Sequence, residues 1–341
     1  MAVMPIKIAI IGAGFMGSVY ARICSQINGT EVVAVCDVVP EQARRLANEL
    51  GAACYETDDY QRIFNEQDAD AALVCTREDA HVRPALAVLA AGKHVLIEKP
   101  LATNTADAKT IEAAASANSG TVAMMAHSLR FDPRYTACRD VVASGRIGDV
   151  IHISARRTPP FSAFQRVEGR VELPFWVGVH DIDMMHWILQ SDVNRVMALA
   201  SDRGLEGHDR RRAIAALLTF SNGAIAILEN SWGHECTSGG QQSTASFRVC
   251  GTKGEIEVKN YEQGITMHCQ DSLPTPDTVY MPRVHGHIRG VYLTQIEHFI
   301  ECIRNARSPE VGLDAGCKSV SVAEAILQSA RMGAAIDLKR T

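Results

Sequence analysis

The sequence predicts an α/β protein with two domains. An N-terminal doubly wound domain is followed by a C-terminal α+β domain with a large, mostly antiparallel open sheet. In the first part of the chain, near-continuous apolar runs alternate with helical stretches, which is typical of a parallel sheet covered on both faces. Beyond Arg130, short runs alternate apolar and polar residues, as the strands of a half-exposed sheet do. We place the domains at residues 1–125 and 126–341.

The sequence of the first domain predicts repeated strand–helix units. The run IKIAII precedes a glycine-rich turn and a helix from Met16 to Gln26, and EVVAVCD precedes the helix PEQARRLANEL, which Gly51 ends. The same alternation continues through ADAALVC, PALAVLAAG, HVLIE, ADAKTIEAAASA and TVAMMA. Such alternation builds a parallel sheet.

The sequence of the second domain predicts a sheet with helices on one side. After the helix RYTACRDVVASG, the predicted strands are VIHISARR, RVMALASD, AIAALLTF, GAIAILENSW, TASFRVCG and GEIEVKN. The polar turn Ser221-Asn222-Gly223 between two of them indicates an antiparallel hairpin. Two further helices follow, YLTQIEHFIECIRN and AGCKSVSVAEAILQSARMG.

Composition excludes several classes of protein. The 341 residues are 47% hydrophobic and 21% charged with a net charge of -5, so we expect no disorder and no nucleic-acid partner. No apolar stretch reaches the ~20 residues that span a bilayer, so no membrane partner is expected. The start MAVMPIKIAIIG lacks the features of a secretory signal. The 10 cysteines form no C-x-x-C pair, which favours reduced thiols in a cytoplasmic protein.

A glycine-rich turn carries the first chemical signal. Gly12-Ala13-Gly14-Phe15-Met16-Gly17 fits G-x-G-x-x-G, directly follows the strand IKIAII and opens a helix. In this context the motif is the fingerprint of a dinucleotide-binding Rossmann domain. Gly12 would make the tight turn, Gly14 would let the backbone approach a pyrophosphate, and Gly17 would let the helix pack closely on the strand.

Asp37 sets the predicted cofactor preference. It ends the next strand, 20 residues after Gly17. Its carboxylate would accept hydrogen bonds from the adenosine ribose, and its charge would repel a 2′-phosphate. The predicted cofactor is therefore NAD, in preference to NADP.

The chain also resembles a known family. Residues 75–101 read CTREDAHVRPALAVLAAGKHVLIEKPL, and the segments RFDPRY at 130–135, GVHDIDMMHW at 178–187 and ENSW at 229–232 follow. Together with the fingerprint, they resemble the Gfo/Idh/MocA family of nicotinamide-dependent oxidoreductases over nearly the whole chain. The resemblance implies an enzyme that acts on CH–OH groups of a small sugar or polyol. It also implies a homodimer or homotetramer that pairs through the back of the second sheet.

The resemblance assigns Lys99 to catalysis. Oxidation of a carbinol needs a base near the cofactor at the carboxyl ends of the strands. Lys99 would point at the reacting carbinol, Glu98 would contact the nicotinamide ribose, and the Lys99–Pro100 bond is expected to be cis. In the same block, Thr76 and His81 are expected to bind the cofactor.

His180 is the second expected catalytic residue. We expect a helix that begins near Val179, so that His180 lies in its exposed first turn. The resemblance makes His180 an acid/base that contacts the substrate. The family often has Asp four residues earlier, whereas this chain has Trp176, which suits stacking on a sugar ring or an aglycone or simple core packing.

Other side chains are weaker candidates. His127, Arg157, Trp176 and Asp183 are expected to bind substrate, although interdomain salt links explain the histidine and the arginine equally well. His180, Asp183 and His186 do not have the spacing of a zinc site, so no metal is expected.

Three functions remain open at this point. The first is an NAD-dependent dehydrogenase of a sugar, cyclitol or sugar derivative in which Lys99 and His180 transfer the proton. The second is a redox-neutral enzyme that cleaves glycosides by oxidation, elimination and reduction. The third is an NAD-binding regulator without catalysis. We expect specificity to reside in the 158–176 segment and the 270–290 loop.

Overall fold

In this computed structural model the described residues are 4–55, 60–167, 169–205, 210–233, 243–265 and 276–338. Chain contacts divide the protein into two compact units: Met1–Phe131 with Val279–Cys317, and Asp132–Thr278 with Lys318–Thr341. Residues 279–317, which the sequence analysis placed in the second domain, pack with the first unit. The units therefore do not follow a single boundary in the sequence.

The strands of the described residues, in chain order, are β1 Ile6–Ile11, β2 Thr30–Cys36, β3 Ala53–Tyr55, β4 Ala71–Val74, β5 His94–Ile97, β6 Ala123–Met125, β7 Val150–Thr158, β8 Val193–Ser201, β9 Ala213–Phe220, β10 Ile225–Ser231, β11 Thr244–Gly251, β12 Glu255–Lys259, β13 Arg283–Val284, β14 His287–Ile288 and β15 Ile336–Asp337.

The α-helices are α1 Phe15–Cys24, α2 Pro40–Leu50, α3 Tyr60–Gln67, α4 Val82–Ala90, α5 Thr105–Ser116, α6 Pro133–Ala143, α7 Phe161–Arg166, α8 Val179–Leu189, α9 Val291–Arg304 and α10 Leu313–Met332. A 3-10 turn covers Ser128–Phe131, and a π-helical turn at Pro174–Gly178 leads directly into α8. No helix in these residues is long and apolar enough to cross a membrane.

The first unit contains a six-stranded parallel sheet in the order β3–β2–β1–β4–β5–β6. Its central strands are almost wholly buried, as the continuous apolar runs predict. The helix α2 has the predicted bounds, because Pro40 suits its first turn and Gly51, with a φ of 68°, ends it in the left-handed region. The helix α9 joins the same core, in which Ile296 and Phe299 pack with residues of β1 and α1.

The second unit contains a seven-stranded sheet in the order β12–β11–β7–β10–β9–β8–β15. Only β7 and β10 pair in parallel among these strands, so the predicted mostly antiparallel sheet is confirmed. The predicted hairpin joins β9 and β10. In β9, buried and exposed residues alternate, so one face is packed and the other carries exposed side chains such as Leu217.

Candidate active site

The sequence-predicted residues of the first unit gather at one edge of its sheet. The glycine loop follows β1, and Asp37, Thr76, Lys99 and His127 follow β2, β4, β5 and β6. Because the six strands are parallel, their carboxyl ends lie along the same edge. The chain order changes direction between β1 and β4, which is where open α/β sheets bind their ligands.

The three glycines have different surroundings. Gly12 has a φ of 101°, and a Cβ there would lie 2.5 Å from the backbone carbonyl of Cys75. A Cβ on Gly17 would lie 1.8 Å from the carbonyl oxygen of Gly12, so the helix packs on the loop without room for a side chain. Beside Gly14, by contrast, no atom lies within 4 Å of the position of a Cβ. The tight turn, the close packing and an open cradle for a pyrophosphate at the start of α1 therefore all fit a dinucleotide.

Asp37 is held at the rim of this cradle. Its Oδ2 accepts a hydrogen bond from the Ala13 N–H at 2.6 Å, and its Oδ1 accepts one from Val39 at 2.8 Å. Each carboxylate oxygen keeps a second acceptor site for a ribose hydroxyl. Phe15 is exposed and Met16 half-buried at the start of α1.

A buried hydrogen-bond network holds Glu98, the residue before Lys99. The Tyr20 hydroxyl donates to Glu98 Oε1 at 2.7 Å, and the Lys99 N–H donates to Glu98 Oε2 at 3.0 Å. Gln295 Nε2 donates to the Tyr20 oxygen at 3.4 Å. Burial raises the pKa of Glu98 and raises that of Tyr20 well above its ordinary value. Both Glu98 oxygens are thus engaged within the protein, and the half-buried Lys99 follows directly.

Sequence reasoning missed Tyr20. Its position on α1 is fully buried, and a buried tyrosine hydroxyl normally finds a hydrogen-bond partner. The only signal was a hydroxyl group on the buried side of a helix. Nothing in the sequence spacing indicated that its partner lies 78 residues away.

His81 links two loops of this edge. Its Nδ1 lies 2.7 Å from the Pro100 oxygen and its Nε2 lies 3.2 Å from the Thr76 oxygen. Burial lowers the pKa of His81, so a neutral ring donates to one of these carbonyls. The Lys99–Pro100 peptide bond is cis, as the resemblance implies. His127, after β6, is fully buried.

The remaining predicted residues lie in the second unit, around the start of α8. This helix begins at Val179, as predicted, and His180 is half-buried in its first turn. Asp183 is buried. Arg157 on β7 forms a buried ion pair with Asp181, with Nη2 2.7 Å from Oδ1. Its Nε and Nη2 are therefore occupied by a carboxylate of the chain itself.

Trp176 belongs to a group of packed aromatic rings. Its ring centroid lies 5.0 Å from that of Trp232, with the planes tilted by 31°. Phe164 and Trp232 are in a T-shaped arrangement, and Phe161 stacks on Phe164. Trp176 is half-buried, whereas Trp232 is 3% exposed.

Within the described residues, no three His, Cys, Asp or Glu side chains are grouped so as to hold a metal ion. Seven cysteines in this part of the chain are buried free thiols: Cys24, Cys36, Cys75, Cys138, Cys250, Cys302 and Cys317.

Comparison with known families decides the relationship. A family model described as "oxidoreductase family, NAD-binding Rossmann fold" matches residues 6–127. The model of the same family's C-terminal alpha/beta domain matches residues 139–338. The chain belongs to the Gfo/Idh/MocA oxidoreductase family. The predicted family and the NAD-binding Rossmann domain are confirmed.

The relatives in this family include inositol dehydrogenases. Inositol 2-dehydrogenase of Salmonella paratyphi B is 30% identical over 199 residues, which are 57% of this chain and 57% of that protein. The chain thus matches little more than half the length of this relative. Myo-inositol 2-dehydrogenase of Thermotoga maritima is 27% identical over 318 residues, 91% of this chain and 92% of that protein.

A solved structure shares the fold. Scyllo-inositol dehydrogenase from Lactobacillus casei, with bound NAD(H) and scyllo-inositol, has a TM-score of 0.82 and 20% identity. The match covers 98% of this chain and 99% of that chain. Identity at this level supports the same fold for the two chains.

Proposed function

We propose that the protein is an NAD-dependent oxidoreductase acting on CH–OH groups. It transfers a hydride between nicotinamide and a secondary hydroxyl or carbonyl group of a sugar, cyclitol or sugar derivative. The main support for this proposal is that the open cradle beside Gly14 and the half-buried Lys99 lie at the same carboxyl edge of one parallel sheet. The inositol dehydrogenases among the relatives support a polyol substrate.

The chemistry assigns distinct tasks to the residues. Bound NAD supplies the acceptor for the hydride that leaves the carbinol carbon. The hydroxyl proton must leave at the same time, so that the carbinol becomes a carbonyl and one proton is released. We assign the uptake of this proton to Lys99 and His180. Glu98 supports Lys99, because its carboxylate accepts the N–H of that residue.

A substitution pair tests the assignment. Lys99→Met removes the amine and should abolish formation of reduced nicotinamide with every substrate in a panel of cyclitols, sugars and glycosides. NAD affinity should change less than about twofold, because the cradle lies on other loops. Lys93→Met is the matched control, since Lys93 precedes the amino end of the same strand and lies 4.0 Å from Asp68. Full activity of Lys99→Met would show that the assignment is wrong.

The redox-neutral cleavage of glycosides is a second candidate. The half-buried Trp176, which packs on the buried Trp232, favours it, because an indole ring suits an aglycone better than a free polyol. This enzyme would convert a glycoside without net formation of reduced nicotinamide. Product analysis of reactions that show no absorbance change distinguishes it from the dehydrogenase.

The exposed face of the second sheet supports a homodimer or homotetramer. Leu199, Leu217, Ile225 and Ile227 on β8, β9 and β10 are 67%, 56%, 48% and 43% exposed. Leu217 and Ile227 lie directly opposite each other, so these side chains share one face. Such an apolar patch is typical of an interface. The free cysteines support a cytoplasmic location.

A further inference from the structure

Two side chains hold the main chain on either side of Lys99. The ladder bonds of β5 extend to the Glu98 N–H, which donates to the Val74 oxygen at 2.9 Å. The following amide, that of Lys99, donates to Glu98 Oε2 at 3.0 Å. The carbonyl oxygen of Pro100 lies 2.7 Å from His81 Nδ1. Because proline has no N–H, its carbonyl is the polar main-chain group through which this residue can be held.

His81 is itself placed by a packed helix. It is the N-cap residue of α4, and its carbonyl accepts a hydrogen bond from the Ala85 N–H at 3.0 Å. Val88 and Leu89 of this helix are fully buried. The ring of His81 therefore connects the start of a well-packed helix with the peptide unit that follows Lys99.

Both ring nitrogens of His81 are engaged within the chain. Nδ1 faces the Pro100 oxygen, and Nε2 lies 3.2 Å from the Thr76 oxygen. Burial lowers the pKa of His81, so the neutral ring carries one hydrogen, and the shorter contact assigns this hydrogen to Nδ1. His81 is also only 1% exposed. The ring is thus used to hold the Pro100 carbonyl and is shielded from a bound cofactor.

We propose that His81 is a positioning residue for Lys99, because it holds the Pro100 carbonyl and through it the main chain that carries the Lys99 amine. The inference rests on the proposed function, in which Lys99 takes up the proton of the carbinol. It replaces the expectation from the sequence that His81 binds the cofactor. Proton transfer needs heavy atoms within ~2.6–3.2 Å, and a displacement of about 1 Å can cost roughly 100-fold in rate. Loss of the anchor should therefore act on the rate rather than on NAD binding.

Three variants separate positioning from other roles. His81→Ala removes the ring. His81→Asn keeps an uncharged donor close to the position of Nδ1 and suits the N-cap, but it cannot take up a proton. His94→Ala is the matched control, because His94 Nδ1 accepts the Val122 N–H at 2.9 Å at the amino end of the same strand. This control removes a comparable bond between a histidine and the backbone at the end of β5 away from Lys99.

Steady-state kinetics, calorimetric NAD titration and thermal unfolding are measured for each full-length variant. We expect His81→Ala to lower kcat about 10- to 100-fold, while NAD affinity changes less than about twofold. His81→Asn should recover most of the lost kcat, and His94→Ala should keep the wild-type kcat even where its melting temperature falls. A loss of NAD affinity as large as the loss of kcat/KM would make His81 a cofactor ligand and overturn the inference. Full activity of His81→Ala, or an asparagine variant as inactive as the alanine variant, would also overturn it.

Hydrogen exchange tests the anchor without turnover. In His81→Ala the Lys99 amide should exchange at least about tenfold faster, measured by mass spectrometry with fragmentation to single residues. The Glu98 amide, which the ladder holds, should keep its wild-type rate. Unchanged protection of Lys99, or equal acceleration of both amides, would overturn the inference. A wild type that oxidises no substrate of the panel would contradict the proposed function, and the exchange rates would still decide whether His81 anchors the main chain of Lys99.

Discussion

Arg157 and Asp181 form a bidentate ion pair inside the second unit. Nε lies 2.8 Å from Oδ2 and Nη2 lies 2.7 Å from Oδ1, and the two side chains are only 7% and 0% exposed. The Tyr135 hydroxyl lies 3.5 Å from the same Nη2. Because Asp181 follows His180 directly, this pair ties the first turn of α8 to β7.

Removal of one partner should destabilise the protein strongly. Arg157→Met leaves Asp181 buried without its counter-charge, and we expect the free energy of unfolding to fall by ~3–5 kcal/mol in urea denaturation. The double variant Arg157→Met/Asp181→Leu should regain most of this loss, because no uncompensated charge remains. Arg156→Met, at the exposed neighbouring position, is the control and should change stability by less than ~0.5 kcal/mol. Equal stability of the single variant and the wild type would contradict the prediction.

Glu98 should make stability fall as the pH rises. Burial raises its pKa above the ordinary 4.5, so the folded protein binds this proton more tightly than the unfolded chain. The stabilising contribution is complete below the unfolded pKa and is lost as the pH rises through the folded one. The free energy of unfolding of the wild type relative to Glu98→Gln should therefore decrease from acid to neutral pH. Urea unfolding of both proteins at a series of pH values measures this difference in the free energy of unfolding.

Glu49 provides a control of opposite sign. The hydrogen bond from Arg22 lowers the pKa of this carboxyl. The stability of the wild type relative to Glu49→Gln should therefore increase from acid to neutral pH, if only slightly, because this ion pair is exposed. The same slope for both residues would show that the pH effect does not come from Glu98.

Substitution by alanine should have different effects at Gly14 and at Gly17, the second and third glycines of the fingerprint. Gly14→Ala adds a methyl group where no atom lies within 4 Å, at a φ of -68° that alanine readily adopts. Its melting temperature should stay unchanged while NAD affinity falls at least about tenfold, because the methyl group occupies the cradle. Gly17→Ala collides with the Gly12 carbonyl and should lose ~1–3 kcal/mol of stability. Thermal unfolding and NAD titration measure both effects, and unchanged NAD affinity of Gly14→Ala would place the pyrophosphate elsewhere.

A charge on the exposed sheet face should disrupt the oligomer. Leu217→Lys places an ammonium group opposite Ile227, in the centre of the proposed interface. Sedimentation velocity should show a shift from the wild-type oligomer to monomers. Ile265→Lys, another exposed apolar position of the same unit, should leave the oligomer intact. A wild-type monomer, or an unchanged oligomer of Leu217→Lys, would contradict the proposed interface.

Local signals account for what the sequence predicted well. The bounds of α2 follow from Pro40 and Gly51, and the start of α8 at Val179 follows from its helical pattern. The roles of Gly12 and Gly17 follow from steric limits that act within a few residues. Such features depend on short-range geometry, which residue order specifies directly.

Contacts between distant residues were not predictable in this way. Tyr20 and Glu98 are 78 residues apart, and Arg157 and Asp181 are 24 residues apart on different elements. The sequence alone offers no sign of this partner, because an acidic residue such as Asp181 suits the first turn of a helix wherever its partner lies. The short α7 and the π-helical turn also escaped prediction, since six- and five-residue elements carry too little periodicity.

The packing of α9 against α1 has a consequence for the order of events during synthesis. The first unit needs residues 279–317, whereas its remaining part ends at Phe131. At ~5–20 residues per second, the ribosome takes roughly ten to thirty seconds to supply α9 after Phe131 has been made. During that interval the part of α1 that packs on α9 lacks this partner, so the core of the first unit is complete only after Ile296 and Phe299 have been made.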